Sequence, residues 1–140
     1  MRQQRKRITL DVIKHAYRLA KCIYEGELDK KTAQQELTKN VKMNSNSANY
    51  YLQAFQRMME GKCYYKTINK TATEYYLETI LTDFGKCSLK AALSSVKQHI
   101  KNYEKPKSNE KPRKLPSIKN IYWKISKKYI LQCSQTKNEP

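Results

Sequence analysis

An all-α fold is predicted by three observations. Apolar residues recur at helical three- and four-residue spacings, glycine (3) and proline (4) are scarce in 140 residues, and no stretch shows a convincing period-2 alternation. The length suits one domain with its own core. The expected architecture is a compact bundle of about five helices over residues 8–104 that contains a helix-turn-helix-like unit. A basic arm at 1–7 precedes it; a linker at 105–120 and a basic C-terminal segment at 121–140 follow.

Thr9 or Asp11 can open a first helix to about Glu25, with Val12, Ile13, Ala16, Leu19, Ala20 and Ile23 on one stripe and Gly26 as its stop. Asp29 caps a short second helix to about Asn40, with Ala33 and Leu37 facing inward. A third runs from about Ser45 to Glu60 and buries Ala48, Tyr51, Leu52, Phe55 and Met59, with Gly61 beyond it. Residues 62–70 read as an ordered loop. Thr71 and Glu74 then match a capping box, opening a helix that buries Leu77, Ile80, Leu81 and Phe84 before Gly85. Ser88 caps a fifth, whose stripe is Leu89, Ala92, Leu93, Val96, Ile100 and Tyr103. Three prolines among lysines at 105–120 have linker composition, and residues 121–133 are apolar enough to dock back or to meet a partner.

The formal net charge is +17, from 29 Lys plus Arg against 12 Asp plus Glu. Such a charge repels itself in a compact state unless an anion takes it up, so the expected partner is a polyanion. Residues 1–7 hold Arg2, Arg5, Lys6 and Arg7 with no acid, and residues 101–140 hold 11 bases and 3 acids. Either arm can hold phosphates or enter a minor groove, or serve only as a solubilising tail.

Cys22, Cys63, Cys87 and Cys133 are far apart, and His15 and His99 are the only histidines, so neither a zinc site nor a cofactor is expected. With no signal peptide and no apolar run near 18 residues, the thiols read as reduced ones of a cytoplasmic protein. His99, beside Ile100 and Tyr103, reads as a packed histidine, and Glu74, Glu78 and Asp83 are spread around one helix without converging on a metal. No catalytic residue is expected.

Residues 37–52 follow a helix-turn-helix rhythm with Leu37, Val41, Met43, Ala48 and Leu52 as its core, although Lys42 stands where glycine is usual at the turn. The other face of the third helix carries Asn46, Asn49, Tyr50, Gln53 and Arg57 without an acid, and Lys42, Asn44, Ser45 and Ser47 lie at its start. Asn and Gln bond bidentately to adenine and Arg to guanine in the major groove, so this face suits base reading; the plain alternative is a solvated polar surface. In the following loop Lys62, Tyr65, Lys66, Asn69 and Lys70 suit phosphate contacts or stacking on an unpaired base, whereas Tyr64 or Tyr65 can instead cover the core.

Residues 23–27 (Ile-Tyr-Glu-Gly-Glu), 43–48 (Met-Asn-Ser-Asn-Ser-Ala), 55–61 (Phe-Gln-Arg-Met-Met-Glu-Gly), 67–69 with 72–77, and 91–93 with 99–104 form an ordered series of motifs. Through them the chain from about Arg18 to Glu104 resembles the N-terminal module of bacterial McrA-like HNH endonucleases, restriction enzymes that cut foreign, often modified, DNA. The resemblance implies target binding ahead of a separate HNH domain. No His-His or His-Asn constellation follows His99, so it does not imply cleavage by these residues. The leading expectation is a double-stranded DNA-binding module linked to restriction or host–phage defence. The alternatives are a basic, non-enzymatic interaction protein, for example a phage-encoded inhibitor, that meets a nuclease or other protein through Trp123 and Tyr129, and, more weakly, an RNA binder.

Overall fold

The computed structural model describes residues 8–106, 111 and 113–137, with the side chains of 131–137 excepted. Arg2, Arg5, Lys6 and Arg7, the cationic residues of the expected basic arm, lie outside the described residues. Six helices and no strand occur among the described residues: α1 (Leu10–Tyr24), α2 (Lys30–Lys39), α3 (Ser45–Glu60), α4 (Lys70–Phe84), α5 (Lys86–Glu104) and α6 (Pro116–Lys137). The chain divides into two compact units, Met1–Gln56 and Arg57–Pro140, the boundary falling inside α3. No helix of the described residues is long and apolar enough to cross a membrane.

In the first unit, the Thr9 hydroxyl accepts from the Val12 N–H at 3.4 Å and starts α1, and Asp29 Oδ1 accepts from the Thr32 N–H at 2.9 Å and starts α2. Such caps satisfy N–H groups that a helix end leaves unpaired. Ile13, Ala16, Tyr17, Leu19 and Ala20 of α1 are buried, as are Ala33 and Leu37 of α2. Val12 and Ile23, expected inward, lie half-buried at the edges of the stripe. On α3, Ala48, Tyr51, Leu52, Ala54 and Phe55 turn inward. Phe55 forms T-shaped pairs with Tyr17 and Tyr24, at 5.2 Å and 6.2 Å between ring centroids. Farther along the helix Met58, not the expected Met59, is fully buried. Between α2 and α3 the Met43 N–H returns to the Leu37 carbonyl at 2.9 Å. That return passes through Lys42 at φ 58°, the left-handed conformation that glycine adopts most easily.

In the second unit the helix starts differ from expectation. Asn69, not Thr71, caps α4, its Oδ1 accepting from the Ala72 N–H at 2.7 Å. α5 begins at Lys86, directly after Gly85 at φ 95°, and not at Ser88. Tyr76, Leu77 and Ile80 of α4 and Leu89, Ala92, Leu93, Val96 and Ile100 of α5 are buried, whereas Leu81, Phe84 and Tyr103 are half-buried. Residues 116–120, expected in the linker, instead form the start of α6. Pro116 is the first residue of α6, where its missing N–H costs nothing and its fixed φ favours the helix. α6 is the helix beyond the five expected, and it docks on α4 and α5 through buried Ile118, Ile121 and Ile125. Lys119 to Glu104 at 2.6 Å, Lys124 to Glu74 at 3.0 Å and Lys128 to Glu78 at 3.6 Å pin its exposed side.

Candidate nucleic-acid interface

The polar face of α3 is set by the residues that open it. Asn44 Oδ1 accepts from the Asn46 N–H at 2.9 Å and the Ser47 N–H at 3.4 Å, and the Ala48 N–H closes on the Asn44 carbonyl at 2.8 Å. The Ser45 hydroxyl accepts from Gln34 Nε2 at 3.1 Å, tying the start of α3 to α2. Asn44 and Ser45 were both expected as DNA contacts; their acceptor oxygens are engaged in the fold. Asn44→Ala and Asn69→Ala should each lower stability by about 1 kcal/mol in denaturant titrations, the usual loss of a cap.

What remains outward on α3 is exposed Asn46 and Gln53, with Ser47, Asn49, Tyr50 and Arg57 half-buried beside them. Gln56 is also exposed and was missed, although its place seven residues after Asn49 puts it on the same face. The first turn of α3 holds no acid, and Glu60, its last residue, is the only carboxylate in the helix. Exposed Lys42 stands at the turn before it. Asn46, Asn49, Gln53 and Gln56 thus offer side-chain amides along nearly three helical turns, each able to give and accept a hydrogen bond at once.

The second-unit residues form a separate group. α5 holds the loop at 61–69 with three side chains on one of its faces: Gln98 Nε2 donates to the Gly61 carbonyl at 2.9 Å, the Ser95 hydroxyl to the Lys62 carbonyl at 2.6 Å, and His99 Nδ1 to the Tyr64 carbonyl. Because that carbonyl only accepts, Nδ1 carries the ring proton, and in the neutral ring Nε2 accepts from the Thr67 hydroxyl at 2.8 Å. The imidazole stacks on Tyr64 with centroids 4.3 Å apart. Burial lowers the His99 pKa, partly offset by the Tyr64 carbonyl, and burial pushes the Tyr64 phenol upward.

Pinning the loop in this way divides its two tyrosines. Tyr64 is buried with Ile68, and Tyr65 is 64% exposed beside exposed Lys66. Lys62 is exposed and lies 3.3 Å from Glu60. Asn69 is a helix cap, so its carbonyl oxygen is unavailable to a ligand, and Lys70 is exposed in the first turn of α4. On α6, Trp123 is 61% exposed and packs edge-on against Tyr122 at 5.2 Å. Tyr129 is half-buried and engaged, so exposed Ile130, seven residues after Trp123, is its counterpart on the open face. No group of three or more His, Cys, Asp or Glu side chains able to hold a metal occurs among the described residues. Comparison with family models, with curated proteins and with solved structures returns no match.

Proposed function

We propose that the chain is a DNA-binding module that uses α2, the turn at Lys42 and α3 as a helix-turn-helix-like reader of the major groove, with no catalysis of its own. The observation that carries this is the amide-rich face of α3, Asn46, Asn49, Gln53 and Gln56, without a carboxylate in its first turn. A duplex presents adenine N6 and N7 to such amides, and the phosphates on either side favour a helix face with no negative charge. Lys42 at φ 58° supports the reading, because a tight turn lets a short second helix brace the start of a reading helix. A role in target recognition for restriction or host–phage defence, alongside an HNH nuclease in the cytoplasm, follows from the resemblance of residues 18–104 to McrA-like N-terminal modules.

A second reading is favoured by one specific feature, the exposed Trp123 and Ile130 on the outer side of α6. Aromatic side chains anchor protein interfaces, and this pair suits a protein partner such as a nuclease. Fluorescence anisotropy of the intact chain with a labelled random duplex, titrated at several salt concentrations, separates the two. The DNA reading predicts log affinity falling linearly with log salt, by roughly 0.9 per phosphate contacted. It further predicts that unlabelled single-stranded RNA competes less well than duplex DNA. Absence of duplex binding at low salt would defeat the DNA reading in favour of the protein one, and stronger competition by RNA would replace duplex DNA with RNA.

A further inference from the structure

Lys90, Lys97 and Lys101 of α5 differ from Lys119, Lys124 and Lys128 of α6, each of which meets a carboxylate. α5 carries Lys86, Lys90, Lys97 and Lys101 against a single acid, Glu104. That acid accepts from Lys119 Nζ at 2.6 Å and from the Leu115 N–H at 3.0 Å, which also holds its carboxyl below the usual carboxylate range. Glu74 and Glu78 are taken by Lys124 and Lys128 of α6, and Glu60 by Lys62. Lys90, Lys97 and Lys101 are exposed, and among the described residues no carboxylate lies within ion-pair distance of them.

The helical period lays these three residues, with exposed Ser94, along one outward stripe. The opposite face is committed to the core and to the loop through Leu89, Ala92, Val96, Ser95 and His99. From Lys90 to Lys101 the stripe spans about 17 Å at 1.5 Å per residue, long enough to meet several phosphates of a strand that rises about 3.4 Å per nucleotide along the duplex axis.

This arrangement is electrostatically unfavourable to the free protein. Lys97 and Lys101 are a like-charge i, i+4 pair, and such pairs weaken a helix. A polyanion laid along the stripe removes the repulsion.

We propose that the exposed Lys90–Lys97–Lys101 stripe of α5 is a second nucleic-acid contact, one that grips the phosphodiester backbone of DNA without reading its bases. It rests on the reading that the chain binds DNA, but it involves a different helix from the base-reading face and a different part of the ligand, so either contact can fail while the other holds.

The test compares the intact chain with the triple variant Lys90→Gln/Lys97→Gln/Lys101→Gln, using anisotropy on a random duplex across a salt series and circular dichroism for fold. Glutamine keeps the helix propensity and removes the charge. The expected result is unchanged helicity, equal or higher thermal stability, and a salt slope shallower by about 2.7, for three phosphates at 0.9 each. The Lys→Arg triple should keep the original slope, and relative affinities for different duplex sequences should be the same in all three proteins. A Gln triple that folds and keeps the original slope overturns the proposal, as does an intact chain that binds neither duplex nor single-stranded DNA. A shallower slope in a protein that shows no sequence preference retains the backbone contact and removes base reading by α3; an unchanged slope with sequence preference intact does the reverse.

Discussion

His99→Ala should lower the stability of the protein by about 3 to 5 kcal/mol, since it both empties a packed site and strands polar partners. The ring is fully buried, stacks on Tyr64 and satisfies the Tyr64 carbonyl, while the Thr67 hydroxyl satisfies its other nitrogen. Losses of that size consume a large share of the stability of an ordinary domain and lower Tm by about 10 °C or more. Calorimetry of His99→Ala beside Tyr65→Ala checks this: removing the exposed Tyr65 should leave Tm nearly unchanged, and a loss below about 1 kcal/mol for His99→Ala would refute the pinning role. The same histidine gives stability a pH dependence. Burial lowers its pKa in the fold below the ordinary value near 6.5, so the unfolded chain takes up the proton first as pH falls. Its contribution is therefore fully present above about pH 6.5 and is lost as pH falls from there through the lowered folded value. Urea titrations between pH 7.5 and 5 should show that decline in the intact protein and a weaker one in His99→Phe.

Asn46→Ala with Asn49→Ala should reduce discrimination between a preferred duplex and a scrambled one by about 30-fold or more, on the basis of about 1 to 3 kcal/mol for each of the two bidentate base contacts. Affinity for the scrambled duplex should change little, because phosphate contacts supply most nonspecific binding. Neither side chain belongs to the core, so Tm should stay within a few degrees. Competition anisotropy with the two duplexes reads both quantities. An equal loss on both would assign these residues to backbone positioning instead.

Local chemistry made much of the fold legible. Thr9, Asp29 and the span Ser45–Glu60 follow from capping preference and apolar spacing, which need only neighbouring residues. At α4 two starts compete, since Thr71 and Glu74 imitate a capping box two residues after Asn69. Asn69 prevails where the helix can also bury Ala72 and Thr73. Pro116 misled for a related reason: a proline among lysines has linker composition, yet at the first helical position it promotes the helix that follows. The pinning of the loop by Ser95, Gln98 and His99 joins residues more than 30 apart, and no local pattern announces it. For the candidate interface, the amide face of α3 was readable from its period. The engagement of Asn44, Ser45 and Asn69 in caps and tethers was not, because Asn and Ser suit helix starts and base edges equally well. The α5 stripe was hidden in a chain with 29 basic residues until the structure distinguished paired lysines from unpaired ones.

Selection of bound duplexes from a random-site library at two salt concentrations, followed by sequencing, tests base reading by α3 most directly. The account predicts an enriched motif containing adenines that persists at the higher salt. Retained DNA with no enriched motif, from binding that disappears as salt rises, would contradict it.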